Sequence, residues 1–160
     1  MNIVVQRNIG ALLGFARAGA ASTLTAGGAG DNVPVVGGWI DRQAIGANYA
    51  AGALPLSAAV GIAYSAVLAA GKGLNMSLLV ETSPDNGVTI TPLLPATPAL
   101  VASSVAGGTV NGVANFAVSL TSAQRYVRFT WTPDLNNTTT DTASIFPMVA
   151  FGGFDRLPTA

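Results

Sequence analysis

Apolar residues recur at every second position over four stretches of the chain. Val60, Ile62, Tyr64, Ala66 and Leu68 form one run. Leu74, Met76, Leu78 and Val80 alternate with Asn75, Ser77, Leu79 and Glu81. Phe116, Val118 and Leu120 alternate with Ala117, Ser119 and Thr121, and Val127, Phe129 and Trp131 with Arg128, Thr130 and Thr132. A strand sends successive side chains to opposite faces, so a period of two predicts half-buried strands. The Val, Ile and Thr in these runs suit a pleated surface. Turn chemistry falls between them. Ala69–Gly73 and Ser83–Gly87 read as hairpin loops, the second around Asn86-Gly87, where both residues tolerate positive φ. Gly107-Gly108 and Asn111-Gly112 predict another turn region, Ser122–Gln124 a short link, and Pro133–Thr142 a polar loop. In the last run, Ala143–Phe151, Pro147 cannot donate to a ladder, which predicts an edge or a bulge there. These signals give about six strands between Leu56 and Phe154. The expected fold is all-β: an antiparallel, jelly-roll-like β-sandwich.

The first 55 residues read differently. Ala26–Gly30 and Gly37-Gly38 are Gly-rich, and the apolar pieces Ile3–Val5, Leu12–Phe15 and Val33–Ile40 are short. Gly10, Gly14 and Gly19 each weaken a helix by roughly 1 kcal/mol relative to Ala. The expectation is an extended Gly/Ala-rich N-terminal arm over residues 1–55, held by a neighbouring subunit, and a β-sandwich body over 56–160. The apolar tract Ile9–Ala16 is not expected to be a signal peptide, since no basic residue precedes Arg7 and Arg17 interrupts the tract. Gln43–Gly71 is free of charge, but it is mostly Ala and Gly with Asn48, Pro55, Ser57 and Ser65 inside it. A membrane helix needs about 20 mainly apolar residues, so no span is expected.

Composition removes whole classes of chemistry. The 160 residues suit one domain. There is no Cys, which excludes a disulfide framework, a thiolate zinc site and a cysteine nucleophile. There is no His, which removes the commonest general base and the Ser-His-Asp triad. Seven basic and seven acidic residues give zero net charge, with none of the basic footprint that nucleic acid requires. Charged residues make up 9% of the chain, against about 25% in ordinary soluble domains. Little charge then keeps copies apart, and the chain is expected to pack against something.

Candidate sites are weak. Asp31, Asp41, Glu81, Asp85, Asp134, Asp141 and Asp155 are the carboxylates; Asp85, Asp134 and Asp141 fall in turns, where Asp bonds its own backbone. Asp134–Thr138 with Asp141 offers oxygen ligands of the kind calcium takes, but not the EF-hand spacing, its glycine or its bidentate Glu. Gly27–Gly30 lacks the strand and the Gly-Lys-Ser/Thr of a phosphate loop. Arg125 and Arg128 are three apart on a strand and face opposite sides. Trp131 belongs to the expected core, whereas Trp39, close to the arm, is a candidate partner contact. No catalytic, cofactor or metal site is expected.

The segment Leu56–Gly87, with Ala-Gly-Lys-Gly and Ser-Pro-Asp-Asn-Gly, resembles small structural proteins of tailed bacteriophage virions. So does Leu120–Leu135, with Ser-Ala-Gln-Arg-Tyr-Val-Arg-Phe-Thr-Trp. The resemblance covers roughly Leu56–Leu157, and the Gly/Ala-rich arm before it also resembles the arms of cement proteins. It implies a non-enzymatic capsid cement or decoration protein, located in the virion and assembled in the host cytoplasm. The implied partners are the major capsid protein or other virion subunits and further copies of the chain, with neither nucleic acid nor membrane. Ile3, Val5, Leu12, Leu13 and Phe15 are the expected interface anchors, with Trp39. Arg7 and Arg17 would pair with an acidic capsid surface. A carbohydrate- or receptor-binding β-sandwich is the alternative.

Overall fold

A computed structural model describes residues 12–46, 52–136 and 140–156. The described chain is an antiparallel β-sandwich. In chain order its elements are β1 (Gly14–Arg17), β2 (Ser22–Thr25), β3 (Val35–Val36), β4 (Ile40–Asp41), α1 (Arg42–Gly46), β5 (Pro55–Leu68), β6 (Lys72–Ser83), β7 (Thr91–Leu94), β8 (Ala99–Ser104), β9 (Gly108–Ser119), β10 (Tyr126–Leu135) and β11 (Thr142–Phe154). One sheet runs β1-β11-β5-β9, with β2 also on β11. The other runs β3-β10-β6-β7, with β4 on β10 and β8 on β6. The long strands nest: β5 pairs β11 in the first sheet while β6 pairs β10 in the second. The chain thus crosses between sheets as a jelly roll does.

The alternating runs point their apolar sets into one core. Val60, Ile62, Ala66 and Leu68 from β5 meet Leu74, Met76, Leu78 and Val80 from β6, together with Val127, Phe129 and Trp131 from β10. The Phe129 and Phe151 rings lie 6.2 Å apart across the two sheets, tilted by 57°. Asn86 and Gly87 both take positive φ in the β6–β7 hairpin, as that dipeptide implies.

Four local expectations differ from the structure. Pro133–Leu135, read as the start of a polar loop with Asp134 in a turn, continues β10 opposite Met76, Asn75 and Leu74. Ala69–Gly73 does not close a paired hairpin, because β5 and β6 belong to different sheets and the turn is a corner between them. Asn111-Gly112 is not a turn. Both residues lie inside β9, opposite Ser65 and Tyr64. Pro147 lies in a strand paired on both sides, but the neighbouring edge is broken beside it. There β2 stops opposite Ile145 and β1 begins opposite Met148, so no ladder on that side requires a donor from Pro147. Residues 14–41, read as part of the arm, run along the sandwich, β1 and β2 on β11, and β3 and β4 on β10.

Candidate functional site

The first sheet turns an unusual face outward. Register places Phe15, Ala150, Ala59 and Ala117 in one row across β1, β11, β5 and β9. The next row is Arg17, Met148, Gly61 and Asn115, and the third is Phe146, Ala63 and Val113. Phe15, Val113, Phe146 and Met148 are between 54% and 62% exposed. They rim a shallow groove of about 280 Å³ floored by Ala59, Gly61 and Ala63. Beyond it the face becomes polar but stays neutral, with Ser65, Asn111, Ser144 and Thr142. Among the described outward side chains of these strands, the single charge is that of Arg17, whose Nε donates to the Gly19 carbonyl at 2.7 Å. Large hydrophobic side chains grouped over a floor of small residues mark an interaction surface.

The opposite sheet is charged and clamped. Arg128 donates to Glu81 at 2.8 Å and stands 4.6 Å over the Trp39 ring. Arg125 makes a two-pronged pair with Asp41, with its shortest contact at 2.6 Å, and lies over Tyr126. Hydrogen bonding from Arg125 is the main cause holding the Asp41 carboxyl below its ordinary value, against partial burial and with help from the Gln43 N–H. These arginines each hold an acid and cover an aromatic ring, so neither ring is an open stacking platform.

The remaining acids do structural jobs. Asp31 accepts from the N–H groups of Gly27 and Leu135. Asp155 accepts from Leu54 N–H and Asp141 from Ala69 N–H. Asp85 organises the turn by accepting from Thr89 and Ser83, and these bonds lower its pKa. Asp134 accepts from Asn75. Among the described residues no group of three or more acids converges as a metal site, and no helix is long and apolar enough to cross a membrane.

The sequence-derived interface residues separate. Ile3, Val5 and Arg7 lie outside the described residues. Leu12 and Leu13 are half-buried, Leu13 lying over Gly152, where a Cβ would stand 3.2 Å from its Cδ2. Phe15 and Arg17 join the outer face. Trp39 does not; it is half-buried on the other sheet beneath Arg128. Sequence reasoning missed Val113, Phe146 and Met148. The signal for two of them was present: Ile145–Phe151 is apolar on both faces of its strand.

No protein-family model matches the chain, and no curated protein matches it by sequence. Solved structures of infectious bursal disease virus show similarity. The Gx strain structure is matched over 91% of this chain and 34% of its own, at 12% identity and a TM-score of 0.44. For the Gt strain the figures are 87%, 32%, 11% and 0.46. The crystal structure of the VP2 subviral particle of that virus gives 87%, 32%, 12% and 0.46. The chain spans about a third of the length of those chains.

Proposed function

We propose that the chain is a virion structural subunit of the capsid cement or decoration kind, which packs the outer face of its first sheet against the major capsid protein or another shell subunit. The observation that carries this reading is the apolar face rimmed by Phe15, Val113, Phe146 and Met148, with Arg17 its single charge among the described outward side chains. Such a face approaches a partner with little charge to desolvate, and a shell repeats a modest contact many times by symmetry. The resemblance of Leu56–Gly87 and Leu120–Leu135 to small phage virion proteins supports the same role. Ile3, Val5, Leu12, Leu13 and Phe15 would supply apolar anchors for the same partner, and Arg7 and Arg17 charged contacts. Such a protein reaches the virion during assembly in the host cytoplasm.

Cosedimentation with shells of the same virus's major capsid protein tests the proposal. Phe146→Glu with Met148→Glu should weaken attachment about 30-fold or more, the loss of a hot-spot contact of ~2 kcal/mol. Both side chains are exposed, so folding stability should stay within about 0.5 kcal/mol. Attachment that survives both carboxylates would sink the assignment of this face.

A further inference from the structure

Among the described residues, three of the four sheet edges are broken into short pieces. The β1 and β2 edge consists of two four-residue strands, separated beside Pro147. Two-residue β3 and β4 make the second edge. The third edge is β7 and β8, where Pro92 and two register shifts interrupt the pairing to β6. Natural sheets blunt their edges with such devices to prevent strand addition. The fourth edge, β9, has none of them. It is 12 residues long, contains no charged residue and no proline, and pairs with β5 without a register shift. In an antiparallel pair, alternate residues turn both N–H and C=O away from the partner. Its free side therefore offers an unbroken row of donors and acceptors about 40 Å long.

We propose that β9 pairs antiparallel with β9 of a second copy of this chain, joining two first sheets across a twofold axis. Three observations favour a second copy. No other described edge is unbroken over that length, and a twofold axis makes an antiparallel strand its own complement. The outward side chains Thr109, Asn111, Val113, Asn115, Ala117 and Ser119 are small or neutral, so the twofold brings no like charges together. The exposed apolar face also reaches this edge through Val113 and would run on into the second copy. This pairing stands independently of what the outer face binds.

Native mass spectrometry and amide exchange on the full chain test it. The wild type should appear at twice the 16.0 kDa chain mass, with slow exchange along β9. Asn111→Lys with Asn115→Lys places like charges opposite or diagonal to one another across the twofold. This variant should return to a single chain mass, with at least tenfold faster exchange at alternate β9 amides. Ala59→Lys charges the same face one strand in from the contact, on β5 opposite Ala117, and should remain a dimer. A wild type of single mass with fast-exchanging β9, or a dimer that survives the paired lysines, would overturn the inference. So would a dimer that Ala59→Lys dissociates, since the contact would then be the face and not the edge. If the paired-lysine variant fails to melt cooperatively, wild-type exchange decides: protected alternate β9 amides support the pairing and unprotected ones refute it.

Discussion

Arg42 is the most constrained side chain in the described chain. It is buried, and its guanidinium donates to the carbonyls of Ala123, Gln124, Pro55 and Leu120. Those carbonyls lie at the start of β5 and along the link between β9 and β10, so one residue of α1 ties both sheets at one end. Burial lowers its pKa while the charge of Asp155 opposes the shift. A planar fork with five donors suits four acceptors in a way an ammonium cannot. Arg42→Ala leaves four carbonyls without their donor and should cost about 3–5 kcal/mol. Arg42→Lys keeps the charge and part of the bonding and should cost about half as much. Urea denaturation of the two variants checks this, and a loss below about 1 kcal/mol for Arg42→Ala would show that water replaces the guanidinium at little cost.

At the scale of elements, the short β4 is held by a clamp as well as by its ladder. Asp41 binds Arg125 at the start of β10 and also accepts the Gln43 N–H at the start of α1. Its folded-state pKa is depressed below 3.8, first by the Arg125 hydrogen bond. A depressed carboxyl stabilises the fold fully above its unfolded pKa, and that contribution fades as pH falls through the folded value. Asp41→Asn should therefore be less stable than wild type at pH 7 by under about 1 kcal/mol, as befits a partly exposed pair. The difference should shrink below about pH 4. A gap that stays constant into acid would mean that the carboxylate charge contributes nothing.

The long strands β5, β6 and β10 were legible because each is half-buried, and a half-buried strand writes its period into the sequence. Where glycine serves packing, the same reading failed. Gly112 resembles a turn residue, yet a Cβ there would stand 2.4 Å from the Tyr64 hydroxyl, which donates to the Val101 carbonyl. Short β1 to β4 hold too few residues to show a period. The exposed face was only partly legible: Phe15 and Arg17 lie in the N-terminal segment, and the run Ile145–Phe151, apolar on both faces, carries Phe146 and Met148, but the pairing of β1 with β11 that brings the two segments onto one face is encoded by no local pattern.

At the scale of the whole molecule, the N-terminal segment completes the core it crosses. Ala18 is fully buried, and a Cβ on Gly19 would stand 2.3 Å from the Trp131 ring. The backbone around Gly19 therefore lies directly on that indole. Gly37 N–H donates to the Phe129 carbonyl at 2.9 Å on the same side of β10. We expect a separable arm to end before Gly14 and the residues from β1 to α1 to belong to the sandwich. A chain begun at Leu56 would lose β1 and β2 from β11, β3 and β4 from β10, and the four bonds of Arg42. It should lack a cooperative melt and bind a hydrophobic dye. Because Trp39 is absent from it, its fluorescence reports Trp131 alone, and that emission should shift to the red of the buried position. A cooperative melt with blue-shifted emission would show the opposite: two self-sufficient sheets, with the first 55 residues an arm laid on a finished sandwich.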